Sequence, residues 1–109
     1  MDQIEQAVDE IIRQGEVLFN ECRLDEAEKY FLSLLRQYPS ESNIRNNLGT
    51  IKFIQGDIIT AKEYFLSALV IEEGSDDALL ILKELYRQHS SWQEYPQSMV
   101  EAETATVFF

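Results

Sequence analysis

Apolar positions recur at three- and four-residue steps along most of the chain, the spacing of one face of an α-helix. Ile4, Val8, Ile11, Ile12, Gly15, Leu18 and Phe19 predict an amphipathic helix over 2–20. A second helix starts near Asp25, an N-cap candidate with Glu28 three residues on. It turns Ala27, Phe31, Leu34 and Leu35 inward and stops at Pro39. Further helices are predicted over 42–55, over 59–72 after a Gly56-Asp57 turn and ending at Gly74, and over 76–88. The last carries Ala78, Leu79, Leu82, Leu85 and Tyr86 on one face and Leu80 and Ile81 on the other, so it should be covered on both sides.

The pattern also repeats. Sliding the chain along itself until Gly15 falls on Gly49 also superposes Phe19 on Phe53, Ala27 on Ala61, Tyr30-Phe31-Leu32-Ser33 on Tyr64-Phe65-Leu66-Ser67, and Leu35 on Leu69. Eight of the 34 pairs between 8–41 and 42–75 are identical, where chance gives roughly two. The chain therefore divides into a helical domain over 1–89 and an acidic tail over 90–109. Within the domain lie repeat one (8–41), repeat two (42–75) and a closing helix (76–89). In the tail, Ser91, Trp92, Gln93 and Glu94 form a capping-box pattern before Pro96, and the sequence runs out in Ala105, Thr106, Val107, Phe108 and Phe109. An apolar stretch of that kind is expected to dock on something.

Composition narrows the functions open to such a chain. At 109 residues, with 45% hydrophobic residues, it can bury one modest core but cannot carry a separate catalytic domain beside it. Four Gly and 2 Pro are too few for a many-turned sandwich or barrel, leaving an all-α fold. Twenty acidic residues against nine basic ones leave a net charge of −11, which repels nucleic-acid phosphates and anionic membranes. Neither nucleic acid nor membrane is expected as a partner, and no apolar run is long enough for a membrane span. Met1-Asp2-Gln3-Ile4-Glu5 has neither the basic nor the apolar stretch of an export signal. With a single cysteine, Cys22, this points to a reducing, cytoplasmic setting.

Catalysis finds no footing. Cys22 has Arg23 beside it, but the only histidine, His89, lies beyond both repeats, and a nucleophile needs a positioned base. His89 at the end of a helix reads as a capping or surface residue. Asp9, Glu10, Glu16, Glu72, Glu73, Asp76 and Asp77 lack the spacing that wraps calcium. No enzyme activity, cofactor or metal is expected.

The repeat resembles the tetratricopeptide family. Its pattern, W-x2-L-G-x2-Y then A-x3-F then P, is met by Ile11, Gln14, Gly15, Leu18, Ala27, Phe31 and Pro39. In repeat two the same places hold Arg45, Leu48, Gly49, Lys52, Ala61, Phe65 and Glu73, with Arg45, Lys52 and Glu73 departing from it. The closing unit has Lys83 and Tyr95 at the Gly and Ala places. Small Gly and Ala let paired helices approach while the Phe fills the space between neighbouring repeats. The resemblance implies antiparallel helical hairpins stacked as a short right-handed superhelix, with a partner bound on the concave face of each unit's first helix.

By helical phase that face presents Asp9, Ile12, Arg13, Glu16, Phe19 and Asn20, then Asn43, Asn46, Asn47, Thr50, Phe53 and Ile54, then Asp77, Leu80, Ile81 and Glu84. The expected binding groove is Ile12, Arg13, Glu16, Phe19, Asn43, Asn46, Asn47, Thr50, Phe53, Ile54, Leu80 and Ile81. Asn46 and Asn47 can bond a peptide backbone through donor and acceptor alike. One subclass grips the carboxylate of chaperone tails with Lys, Asn and Arg. Asn47 matches its Asn, but Ile12, Asp77 and Ile81 stand at the basic places, so that ligand is not expected. The leading expectation is a non-enzymatic adaptor or chaperone-like module for a helix or extended peptide, with a basic or amphipathic partner favoured by the charge. The alternative is a structural self-association module that forms homo-oligomers, a homodimer among them, through the closing helix and the tail, with Val107, Phe108 and Phe109 docked in the molecule's own groove or a neighbour's.

Overall fold

The computed structural model describes residues 3–72, 76–89 and 99, without the side chains of 3–5, 76 and 77. Among them the protein is all-α: α1 (Gln3–Asn20), α2 (Leu24–Gln37), α3 (Ser42–Ile54), α4 (Ile58–Ile71) and α5 (Asp76–Gln88). Sequence neighbours pack on one another, and α3 also touches α1. None of these helices is long and apolar enough to cross a membrane. Gly74, Pro96 and the Ser91-to-Glu94 pattern lie outside the described residues, as do Val107, Phe108 and Phe109.

The turns after α1 and α3 are the same turn. Cys22 N–H donates to the Phe19 carbonyl at 3.0 Å and Arg23 N–H to the Leu18 carbonyl at 3.0 Å. At the equivalent places in repeat two, Gly56 N–H reaches Phe53 at 3.1 Å and Asp57 N–H reaches Lys52 at 2.9 Å. Both are Schellman closures, which need a left-handed residue just past the helix. Cys22 has φ 63 and Gly56 φ 87. Repeat one thus uses a cysteine where repeat two uses the residue suited to it.

The starts of α2 and α4 differ. Asp57 accepts from Thr60 N–H at 3.2 Å as the N-cap of α4. The equivalent cap of α2 is Arg23, which makes no side-chain cap bond. The expected cap at Asp25 is therefore corrected: Asp25 lies inside the first turn, where its charge faces the helix dipole. Glu28 does not reach back to close a capping box but bonds to α3.

Two apolar clusters form the core. Val8, Ile12, Ala27, Phe31, Leu34, Ile44, Leu48 and Ile51 join α1, α2 and α3. Ala61, Phe65, Ala68, Leu69, Ala78, Leu79, Leu82, Leu85 and Met99 join α4 and α5. Met99 is fully buried, so the packing extends past residue 89 into the region predicted as tail.

Gly15 lies against the ring of Phe31 and Gly49 against that of Phe65, so closely that a Cβ on either glycine would fall within 3.0 Å of ring atoms. Each ring lies over the glycine of its own helix pair and also joins a cluster with the next unit, Phe65 with Leu82 and Leu85 of α5. Phe31 shares a cluster with Ile44 and Leu48 of the next helix.

The departures from the repeat pattern carry polar bridges. Arg45, at the Trp place, donates to the Pro39 carbonyl at 3.1 Å and to Ser67 Oγ at 3.5 Å. Lys52, at the Tyr place, pairs with Glu28 of α2 at 2.8 Å. Ser42, buried at the start of α3, donates to Glu72 Oε2 at 2.5 Å.

Candidate functional site

A groove of about 770 Å³ runs between α3 and α5. Thr50, Phe53 and Ile54 supply one wall, Leu80, Ile81, Glu84 and Leu85 the other, and Phe65 of α4 part of its lining. Phe53, Ile54 and Leu80 are 42%, 53% and 70% exposed, high values for large apolar side chains facing a concavity. A recess of about 170 Å³ continues from it, lined by Glu16, Asn43, Asn46 and Asn47, and shares Thr50, Phe65 and Ile81. The whole is one trough with an apolar end and a polar end.

Helical period explains the arrangement. Asn43, Asn46, Asn47, Thr50, Phe53 and Ile54 follow each other at one- and three-residue steps along the exposed side of α3, while Ile44, Leu48 and Ile51 bury the other. On α5, Leu80, Glu84 and Arg87 continue the stripe. Lys83 and Arg87 stand at the apolar end, a cationic rim. Arg87 donates to both Glu84 carboxylate oxygens, at 3.0 and 2.6 Å. These bonds, with another from Gln88, hold the Glu84 carboxyl down at about 2.

At the polar end the Asn47 and Thr50 donors are engaged. Asn47 Nδ2 gives a bond to the Asn43 carbonyl at 2.8 Å and a longer one to Glu16 Oε2 at 3.5 Å. Thr50 Oγ1 donates to the Asn46 carbonyl at 3.0 Å. A ligand backbone that takes up the Asn47 amide must displace one of these bonds.

Nine of the twelve residues expected in the groove come together in this trough: Glu16, Asn43, Asn46, Asn47, Thr50, Phe53, Ile54, Leu80 and Ile81. Three do not. Ile12 is buried in the core with Val8, Phe31 and Ile44. Arg13 points outward and pairs with Glu10 at 2.7 Å. Phe19 packs half-buried against the α1–α3 cluster. Of the residues expected from α1, only Glu16 lines the trough, because the rotation of the helix turns Ile12 into the core and Arg13 to solvent.

Leu85, Lys83 and Arg87 also line the trough without having been expected there. Arg87 lies two helical turns beyond Leu80, so extending the α5 stripe by one turn past Glu84 finds it. Phe65 belongs to the neighbouring helix, and no periodicity within α3 or α5 points to it. The two sides of α5 expected to be covered differ in the chain by itself. Ile81 packs on the α4–α5 cluster, but Leu80 stands in the open groove.

Among the described residues no group of three His, Cys, Asp or Glu side chains is placed to hold a metal ion. Cys22 is exposed as a free thiol in its turn. No protein-family model matches the chain.

Proposed function

We propose that this chain is a tetratricopeptide-type protein-interaction module, without catalytic activity of its own, that holds a helix or extended peptide in the α3–α5 trough. The observation that carries the reading is the exposure of Phe53, Ile54 and Leu80 along one concavity. Burying them against a partner's apolar side chains gains about 25 cal/mol per Å² removed from water. The tetratricopeptide assignment is supported by contacts that recur from one repeat to the next: glycine on phenylalanine twice, and one helix-closing turn twice. A right-handed superhelical stack and a cytoplasmic setting belong to the same proposal, the latter supported by the exposed Cys22 thiol, which a reducing compartment preserves.

The net charge of −11 favours a basic partner, which it draws in by long-range attraction. The test is selection from a peptide library followed by titration of the selected peptide. Phe53→Ala with Leu80→Ser should weaken binding about tenfold or more, equal to about 1.4 kcal/mol. The affinity of a basic peptide should also fall with added salt. Unchanged affinity in the double variant would remove the groove as the binding site.

A homodimer is the second reading, and α4 favours it. Ile59, Leu66 and Val70 lie within about 40° of one another around the helix, with Ile59 53% and Val70 72% exposed. Light scattering should then give twice the chain mass, returning to a single mass in Val70→Glu. A single mass at every concentration would dismiss it.

A further inference from the structure

Among the described residues, Glu16 is the one ionisable side chain that lines the polar recess of the trough. The other polar walls are Asn43, Asn46 and Asn47, and Thr50 and Ile81 mark where the recess opens into the apolar groove. Glu16 is exposed, and from the described residues its carboxylate receives only the 3.5 Å bond from Asn47. Arg13, three residues earlier on α1, gives its charge to Glu10 instead. A carboxylate at a recess, held by one long bond, is the complement of a lysine or arginine side chain.

We propose that the trough selects an extended segment of a partner protein in which one Lys or Arg side chain enters the recess toward Glu16 and an apolar side chain three residues away lies against Phe53, Ile54 and Leu80. The inference rests on the proposed function for the groove itself and adds what the groove selects.

The spacing comes from α3. Asn47, which reaches Glu16, precedes Phe53 and Ile54 by six and seven residues on one helix, a rise of about 9–10 Å. Three residues of a polyproline-type extended chain rise about 9 Å and return to the same side. A helical ligand would need six or seven residues for the same distance. It would also bridge over the recess, since a helix is about 10–12 Å across and a space of about 170 Å³ takes a single side chain. The amides argue the same way. Asn43 is exposed, and its side chain makes no hydrogen bond with a described residue. An extended backbone has N–H and C=O groups to offer it, whereas a helix has already paired its own. The net charge of −11 turns acidic segments away before they reach the site.

The test uses the full chain and two sets of capped peptides, each carrying a Leu-Phe pair and one Arg. In a Gly-Ser set the Arg stands three residues from the pair, in both chain directions; in an Ala-rich helical set it stands seven residues away. NMR shifts of the Asn47 and Leu80 amides locate the ligand, and titration gives Kd. The extended Arg peptide should bind more tightly than the helical one. Replacing its Arg by Gln, or Glu16 by Gln in the protein, should weaken it about threefold to fivefold, the size of a solvent-flanked ion pair. The two losses should not add when combined, and added salt should shrink each. Glu16→Gln, at an exposed position, should leave the thermal midpoint unchanged. Equal affinity for the Arg and Gln peptides, losses that add, or tighter binding of the helical set overturns the proposal. If binding is lost in Phe53→Ala with Leu80→Ser but is indifferent to Glu16→Gln, this inference falls and the adaptor reading stands. If no peptide of either set shifts the trough amides, both fall.

Discussion

Gly15 and Gly49 show how one missing atom sets the distance between helices. Each has the ring of a fully buried phenylalanine where its Cβ would stand. Replacing Gly49 by Ala gains about 1 kcal/mol of helix propensity. It also forces Phe65 from its place, an overpacking cost of about 1–3 kcal/mol. Each ring is packed within its core cluster, so the net should be a loss, read as a lower urea midpoint, for Gly49→Ala and for Gly15→Ala alike. Adding Phe65→Leu to Gly49→Ala should return part of the loss, since the smaller side chain vacates the space the methyl needs.

Cys22 supplies the converse case. A left-handed backbone costs a residue with a Cβ roughly 1–2 kcal/mol, and Cys22 bears that cost in a turn identical to the one Gly56 closes. Nothing lies within 4 Å of where a Cβ on Gly56 would be, so conformation alone separates the two sites. Cys22→Gly should stabilise the protein by about 0.5–1 kcal/mol after the entropy glycine loses on folding, and Gly56→Cys should reverse the sign. Equal midpoints for the exchanged pair would mean that the turns are not equivalent in energy.

Among the elements, α2 and α3 are tied by a pair that occupies an aromatic's place in the repeat pattern. Lys52 and Glu28 are 2.8 Å apart and about one-fifth exposed. The bond from Lys52, helped by one from Gln55, holds the Glu28 carboxyl below its usual 4.5. The same bond raises Lys52 above its usual 10.5.

The signs follow from proton counts. Below 4.5 the unfolded chain binds more protons at Glu28 than the folded one, so the pair's contribution drains away as the pH falls. Above 10.5 the folded chain holds the Lys52 proton longer, and the contribution drains away as the pH rises. Lys52→Met should cost about 0.5–1 kcal/mol near neutral pH. Urea unfolding should show the difference from the parent shrinking below 4.5 and again above 10.5. A difference that is flat from acid to alkali would assign Lys52 a packing role only.

For the molecule as a whole, Met99 carries the core beyond residue 89. It is fully buried with Leu82 and Leu85, so Met99→Ala should cost about 2–5 kcal/mol. That is a large share of the roughly 5–15 kcal/mol that hold a small domain together. A thermal midpoint left unchanged would remove Met99 from the core. Shortening the chain at Gln88 is accordingly a poor way to ask what the tail does, because it removes a core residue along with residues 105–109.

Much of the architecture was legible in the order of residues. The spacing of Val8, Ile12, Ala27, Phe31, Ile44 and Leu48 defines helices and their inward faces, because the helical period is a property of the backbone and any apolar stripe at that period must find cover. The repeat shift that carries Gly15 onto Gly49 marks equivalent close approaches there and equivalent turns at Cys22 and Gly56. It also marks Asn43 to Ile54 as the side of α3 left uncovered once Ile44, Leu48 and Ile51 are buried. The start of α2 was misjudged because Asp25 has the chemistry of a cap, while the chain closes its turn earlier, on Arg23.

Only the tertiary structure decided the rest. Ile12 and Phe19 have the same apolar character as Phe53 and Leu80, yet the first two face the core and the others face the trough, since a helix's rotation is fixed by what packs on it. Phe65 lines the groove from a neighbouring helix, Met99 reaches the core from a stretch whose composition reads as tail, and Lys52 of α3 finds Glu28 on a different helix. Periodicity is a property of one helix and can be read from its own residues. Which helix lies against which face depends on all of them at once.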